Sequence, residues 1–297
     1  MIRKLKSLVI FFLNKVAFLF SDKRFLKIKF RILMGRRLRI EDPKTFNEKL
    51  QWLKLYNRKP IFTTMVDKVE AKKYVSSLIG DSYIIPTIGV YKNVDEIDYA
   101  TLPDQFVLKC THDSGKVIVC KDKKLLDTKE TNKILKKALR CDYYNLYREW
   151  PYKNVNRRII CEKLMTDVSQ EKKGLIDYKF YCFDGTPMFL YVSEGLENHA
   201  TAKISFLTMQ WEFAPFGRTD FAPFPELPEK PTRFEEMRTI ASKLSMGHPF
   251  IRVDLYEING RVYFSELTFT PCSGFMPFDP KEYDRILGDY IDLSRLK

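Results

Sequence analysis

The chain has 297 residues, 45% apolar and 14% aromatic, which is about two domains' worth of length and excludes disorder as the whole story. Lysine and arginine number 51 against 38 acids, and residues 1–59, with 17 basic and 4 acidic, carry the entire excess. A basic arm on a neutral body points to an anionic partner, which composition leaves open between phosphate, lipid headgroups and polyuronate.

Leu5 to Phe20 is mostly apolar but is interrupted by Lys6, Asn14 and Lys15, too short for a membrane span of about 20 residues. The Ser21-Asp-Lys-Arg24 that follows is no small-residue cleavage site, so export is not expected. Two readings stand: a helix lying on an inner membrane surface, with Arg3, Lys4, Lys6, Lys15, Lys23, Arg24, Lys27 and Lys29 near anionic headgroups, or a helix packed on the body. Thr45 to Tyr56 reads as an amphipathic helix with a Thr45–Glu48 capping box. Met65 to Leu78 reads as a second helix. Tyr83 to Pro86 and Val90–Tyr91 alternate toward strands, and Asp95 to Tyr99 forms a turn or short helix.

Gln105 to Cys110 and Val117 to Cys120 are strands joined by the polar glycine loop Thr111-His-Asp-Ser-Gly-Lys116. Thr128 to Arg140 has helical spacing. Arg158 to Leu164, Asp177 to Phe183 and Met188 to Ser193 are strands, the last two joined at Asp184–Gly185. Thr232 to Ser245 is a helix opening on a Thr232–Glu235 capping box. Ile251 to Ile258 and Arg261 to Thr268 form a hairpin around Asn259–Gly260. This pattern is α+β, antiparallel sheets with helices on their faces. The six cysteines form no Cys-x-x-Cys pair and three histidines accompany them, which argues against structural zinc. They read as small buried hydrophobes in a reducing compartment.

Three clusters could carry chemistry. Lys109 ends a strand that runs into the glycine loop, whose amides could curl around phosphate oxygens. Arg252-Val-Asp254 and Glu266-Leu-Thr268 place acids among Val253, Leu255, Phe264 and Leu267, as a hard cation bridging protein to nucleotide phosphates would need. A two-residue Asn259–Gly260 turn pairs 254 with 265, however, which puts Asp254 and Glu266 on opposite faces unless a bulge shifts the register. Glu162, between apolar residues, reads alone as a salt-bridge partner, and Lys179 as a solvated strand lysine.

In this order the motifs resemble the ATP-grasp fold. Asn47-Glu-Lys-Leu-Gln-Trp52, Asp67–Lys68, Leu108 to Gly115, Asp177-Tyr-Lys-Phe180 and Glu266-Leu-Thr-Phe-Thr-Pro271 resemble its TupA-like branch, associated with teichuronopeptide and other surface-polysaccharide synthesis. The resemblance covers about residues 42–293. It implies two lobes of antiparallel sheet plus helices enclosing a nucleotide: a basic helical segment 1–59, an N-lobe 60–164 and a C-lobe 165–297. By matched motif, Lys68, Lys109 and Lys179 would touch phosphates, with His112, Asp113, Ser114 and Gly115 a loop over them. Glu162, Lys163 and Leu164 would hold adenine, and Asp177 ribose. Asp254 and Glu266 would bind Mg²⁺, and Arg252 would neutralise an acyl phosphate. Thr268 stands where many such enzymes have asparagine.

The implied activity is an ATP-dependent carboxylate–amine ligase joining an amino acid or amine to a uronic-acid carboxylate of a saccharide, in the cytoplasm and with no nucleic-acid partner; residues 1–40 lie outside the resemblance and keep their two readings, an anionic membrane surface or packing on the body. Glycosyl transfer is the alternative enzyme class, although no Asp-x-Asp occurs in the chain. A non-catalytic scaffold binding membrane or polysaccharide is the third.

Overall fold

The computed structural model describes residues 2–113, 117–168, 175–195 and 202–296. Helix α1 (Ile2–Lys15) leads to α2 (Asp22–Met34). Ser21 opens α2 by accepting from the Arg24 N–H at 3.4 Å, and Gly35, at φ 72°, closes it in the left-handed conformation. Phe25, Leu26 and Phe30 of α2 form a core with Leu13, Ala17, Leu38 and Ile40. The other side of α1 is exposed and apolar: Leu8, Val9, Phe11, Phe12 and Val16, followed by Phe18 and Leu19. Lys29 is buried and donates to the Leu146 carbonyl, so it cannot meet headgroups as the sequence reading had it.

Helix α3 (Phe46–Tyr56) carries the expected capping box, Thr45 and Glu48 each bonding the other's backbone. The single helix expected over Met65 to Leu78 is two, α4 (Ile61–Val66) and α5 (Glu70–Ile79). Asp67 breaks it: extended at ψ 117°, it accepts from the Val69 N–H at 2.9 Å and pairs with Arg158 at 2.9 Å, taking Lys68 out of the helix. Strands β1 (Thr87–Tyr91), β2 (Phe106–Cys110), β3 (Val117–Cys120) and, after helices α6 (Thr128–Leu139) and α7 (Tyr143–Tyr147), β4 (Ile159–Lys163) form an antiparallel sheet ordered β1-β4-β2-β3. Phe106, Leu108, Cys110, Cys120 and Cys161 pack with Leu135 of α6 beneath it.

Strands β5 (Asp177–Phe183), β6 (Thr186–Glu194), β7 (Lys203–Thr208), β9 (Ile251–Ile258) and β10 (Arg261–Thr268) form the second sheet, ordered β10-β9-β5-β6-β7. Between its third and fourth members in sequence run β8 (Gly217–Arg218) and α8 (Phe234–Ser245), and after it β11 (Phe278–Asp279), paired with β8, and α9 (Tyr283–Asp289). Alternation along β5 sends Tyr178, Phe180 and Cys182 toward α8, and Tyr181 and Phe183 toward α3 and α9. Helices α4 and α5, although within 60–164, contribute Phe62, Met65, Ala71 and Val75 to this sheet's core. The capping box expected at Thr232–Glu235 is absent. The Thr232 hydroxyl and the Arg233 N–H both donate to Glu257 of β9, at 2.6 and 3.0 Å, so a neighbouring strand supplies the acceptor that the local sequence only mimics.

Candidate functional site

The final hairpin resolves the parity conflict in its sequence. Phe264 pairs with Leu255 but Glu266 pairs with Asp254, so Ser265 is the extra residue of a bulge and the two acids stand opposite each other. Arg252, two residues before Asp254 and on the same face, holds them together. Its Nε and Nη2 donate to Asp254 Oδ1 and Oδ2, both at 2.6 Å, and Nη2 also donates to Glu266 Oε1 and Thr268 Oγ1, both at 2.9 Å. Lys179 on the adjacent β5 donates to Asp254 Oδ2 and Asp177 Oδ1, each at 3.0 Å.

Burial and pairing set the protonation of this wall. Asp254 is fully buried, and burial pushes its carboxyl upward against the pull of Arg252 and Lys179. Burial opposes the Lys179 charge, but Asp177 and Asp254 hold its pKa well above the usual lysine value. Glu266 is partly open; burial would raise it, yet Arg252, Lys179 and Lys68 bring it down to about 2.

Across from these, Lys68, Lys109 and Glu162 meet. Glu162, buried at the end of β4, forms ion pairs with Lys109 at 2.5 Å and with Lys72 of α5. Both lysines keep its carboxyl ionised against burial. Lys72 also donates to the Ile85 carbonyl at 2.7 Å. Lys68 donates to the Asp113 carbonyl at 2.5 Å, and burial lowers its pKa although the Glu266 charge opposes this. Lys68 thus lies within the fields of both walls.

Glu162 points at two lysines, which leaves it salt-bridged as its residue type alone implied. The Lys163 N–H donates to the Pro86 carbonyl at 3.0 Å, while Lys163 and Leu164 border a groove of about 780 Å³ with Pro86, Gln105 and Lys121. His112 is buried, its charged form opposed by burial and Arg157 and favoured by the Ala138 and Cys141 carbonyls, so its ring packs into the lobe. Asp113 is buried as well, and Ser114 and Gly115 lie outside the described residues.

A polar scaffold that the sequence reading missed supports the carboxylate wall from behind. Cys272, Ser273 and Gly274 follow Thr268 with φ of 50°, 52° and 69°, three consecutive left-handed residues. Gln51 donates to the Ser273 and Gly274 carbonyls at 3.0 and 2.7 Å, Lys54 to Ser273 at 2.6 Å, and Asn47 to Met276 at 3.0 Å. These residues lie on one face of α3 at helical spacing. Buried Glu149 accepts from the Thr270 and Ser273 hydroxyls. The signal was present in the Asn47-Glu-Lys-Leu-Gln-Trp motif, but its partners lie more than 200 residues on.

Among the described residues no group of three or more His, Cys, Asp or Glu side chains forms a metal site by itself. A cation held here would take only Asp254 and Glu266 from the protein and need other oxygen ligands, as Mg²⁺ on nucleotide phosphates does.

A family model described as TupA-like ATPgrasp matches residues 48–292. Among the curated proteins, none matches the chain. Solved structures with similar folds include a D-alanine–D-alanine ligase from Bacillus anthracis complexed with ATP, at 16% identity and TM-score 0.41, over 76% of this chain and 63% of that one. Another is the D-alanine–D-alanine ligase of Helicobacter pylori, at 17% and 0.45, over 84% and 70%. A third is a D-cycloserine synthetase, at 16% and 0.42, over 80% and 72%. The chain thus spans less than two thirds of the Bacillus anthracis enzyme's length.

Proposed function

Because the chain belongs to the TupA-like ATP-grasp family, we propose that it is an ATP-dependent ligase that forms C–N bonds, joining an amino acid or amine to the carboxylate of a uronic-acid-containing saccharide. The observation that carries this reading is the bulge that sets Asp254 and Glu266 side by side, with Glu266 in the field of Lys68, which also feels Lys109 and Glu162. Mg·ATP would lie between the lobes, its phosphates on Lys68, Lys109 and Lys179. Glu162 to Leu164 would lie toward adenine and Asp177 toward ribose.

Glu266 fits a cation ligand, since it is partly open and ionised. Asp254 has both oxygens taken by Arg252 and Lys179. It fits only if Arg252 turns outward, which is also where the guanidinium would meet substrate. Bound Mg²⁺ would supply charge neutralisation on the phosphates.

The reaction asks for two displacements. A carboxylate oxygen bonds to the γ-phosphorus as the bond to ADP breaks. The amine nitrogen then bonds to the acyl carbon, loses a proton, and phosphate leaves. Arg252 meets negative charge as it develops in both steps, and the lysines orient the phosphates; neither step needs a protein nucleophile. The test is ADP release by purified protein against uronic acids crossed with amino acids. ADP dependent on both partners is expected. Turnover of a nucleotide sugar in its place would favour the glycosyl-transfer alternative.

Residues 1–40 would hold this enzyme on the cytoplasmic face of an anionic membrane. The support is the solvent-facing apolar side of α1 with Phe11, Phe12 and Phe18, beside exposed Lys15, Arg24 and Arg31. Among the described residues no helix is long and apolar enough to cross a membrane. Co-sedimentation with anionic but not zwitterionic vesicles is expected, lost in Phe11→Ser/Phe12→Ser. Loss of self-association in that variant, with no vesicle binding by the parent, would make the face a contact between copies.

A further inference from the structure

Beside the five-stranded sheet stands an arginine that the carboxylate wall does not use. Arg218 lies on β8, a strand of two residues whose place is fixed from both sides. Arg218 pairs with Phe278 of β11, the Thr219 N–H donates to the Pro277 carbonyl at 3.2 Å, and Phe216 and Phe278 are buried in one aromatic core. The ribbon thus ties residue 218 to the segment that leaves the left-handed turn at 272–274, the turn that Gln51 and Lys54 hold behind the carboxylate wall.

The Arg218 side chain is only 7% exposed. Its Nε and Nη2 donate to Asp220 Oδ1 and Oδ2 at 2.9 and 2.7 Å, and its guanidinium lies 5.0 Å from the Phe221 ring centroid. That leaves Nη1 with no oxygen partner among the described residues. Asp220, with 38% of its side chain exposed, remains open to a second partner.

The pair borders the place of reaction. Cys272 lies within the fields of Arg218, Asp220 and Arg252, and it hydrogen-bonds with Arg218. Solvent reaches its thiol, yet burial raises the thiol pKa, as expected of a group on the floor of a cleft and not of one on a protruding loop. Tyr181 of β5 lies in the fields of Arg252, Cys272 and Arg218, and its buried hydroxyl has no hydrogen-bond partner among the described residues. Two guanidinium groups, a thiol and an unspent hydroxyl therefore converge beside the position proposed for the acyl phosphate. Buried polar groups that serve packing alone are paired, so this convergence points to a ligand with polar groups of its own.

The charges select the class of that ligand. A plain amine would meet Asp220 and leave the Arg218 guanidinium unused. A carboxylate without an amine would gain Arg218 but lie against the charge of Asp220. A molecule with an ammonium and a carboxylate on adjacent atoms complements both members of the pair.

Resting on the ligase reading above, which leaves the amine partner open between an amino acid and a plain amine, we infer that Arg218 and Asp220 form the amine-substrate subsite and that this substrate is an α-amino acid. Its carboxylate takes the Nη1 edge of Arg218 and its ammonium faces Asp220, in the cleft over Cys272. The nitrogen is thereby held on the Arg252 side, where the acyl carbon would lie. The free carboxylate of the amino acid, rather than its side chain, is the group that admits it.

The experiment uses Cys272 as the reporter, since among the six cysteines four are buried, Cys141 is half-buried and Cys272 is exposed. Alkylation of Cys272 by iodoacetamide is followed by peptide mass mapping on the full chain, with and without Mg²⁺ and a non-hydrolysable ATP analogue. The probes are the twenty amino acids, each beside its decarboxylated amine and its deaminated acid. At least one amino acid should slow the alkylation in a saturable way, and its amine and its deaminated acid should not. Arg218→Lys, which keeps the charge and loses the fork, should weaken that protection by about tenfold or more with nucleotide affinity unchanged. Asp220→Asn, at a more exposed position, keeps the shape and should weaken it as well, which reads the same subsite without disturbing the buried guanidinium. Protection by none of the twenty, equal protection by the plain amine, or unchanged protection in both variants would each overturn the subsite. A chain protected by an amino acid that releases no ADP with any uronic acid keeps the subsite and removes the ligase reading. One that couples a uronic acid to a plain amine as well as to the amino acid does the reverse.

Discussion

The two walls of the site are built to opposite charge and by opposite means. On the four-stranded side, the lysines at 68, 72 and 109 gather around Glu162, and cations are in excess. On the five-stranded side, Asp177, Asp254 and Glu266 outnumber Arg252 and Lys179. The lysines arrive from a helix start, a helix face and a strand, on long stems that can follow a ligand. The carboxylates all stand on neighbouring strands of one sheet, their positions fixed by register. Phosphate oxygens suit the first wall and a cation the second, so Mg·ATP is the kind of ligand that would satisfy both while separating the pairs each now makes internally.

The largest expected effect tests whether the carboxylate wall acts on the chemical step. Glu266→Gln keeps shape and removes charge at a partly open position, so the fold should persist while turnover falls roughly a hundredfold or more. Arg252→Ala should likewise lower kcat more than ATP affinity, because a group meeting developing charge acts on the transition state. Steady-state kinetics with melting curves would check both. Near-parent kcat in Glu266→Gln would break the comparison, leaving that wall a structural ion cluster.

Next in size is the lysine wall. Lys109→Met should act chiefly on binding, raising the KM for ATP by about tenfold with a smaller change in kcat, as the loss of one phosphate contact of about 1.5–3 kcal/mol predicts. It also leaves Glu162 with Lys72 alone, so the variant should be somewhat less stable. If Lys109→Met and Glu266→Gln move the same kinetic parameter by the same factor, the two walls do not divide the work.

How much of this could be read from the chain differs between the walls for the same physical reason. The carboxylate wall is local in sequence: two strands, a two-residue turn, and two acids whose parity demands a bulge, which Ser265 provides. The antiparallel sheets and most strands were legible from alternation of the same kind. The lysine wall is assembled from distant pieces, and Lys72 looks like any solvated helix lysine until Glu162 is brought to it. The break at Asp67 was hidden because apolar spacing runs through it, and its cause, Arg158, is 91 residues away. Local motifs also mislead when a neighbour competes, as Glu257 does for Thr232.

The scaffold behind the carboxylate wall gives a smaller effect. Gln51→Ala would leave the buried Ser273 and Gly274 carbonyls short of a donor, at a cost of about 1–3 kcal/mol. Lys54 still donates to Ser273, so the turn should survive. Lower melting temperature and lower kcat, with unchanged ATP affinity, would tie α3 to the carboxylate wall alone. An equal loss of ATP affinity would mean that α3 braces both.

The smallest effect separates packing from charge on that same side. His248 stacks near Phe62 and Phe269, ring centroids 5.6 Å from each, one residue past Thr268 in the latter case. Burial, with help from Lys59, depresses its pKa from 6.5 to about 4. Above pH 6.5 it is neutral folded or unfolded and contributes no pH dependence. Between 6.5 and 4 the unfolded chain takes up a proton that the folded chain refuses, so stability falls as pH falls, by about 1 kcal/mol at pH 5.5. Glu266 works in a lower window: its folded pKa of about 2 lies under the usual 4.5, so its stabilisation is complete above 4.5 and lost as pH drops toward 2. His248→Gln should therefore flatten the melting-temperature profile between pH 6.5 and 4.5 and leave turnover at pH 7.5 and the loss below pH 4.5 unchanged. Glu266→Gln should do the converse, flattening only the lower limb. A profile whose upper limb is unaltered in His248→Gln would show that the carboxylate wall alone sets the acid response.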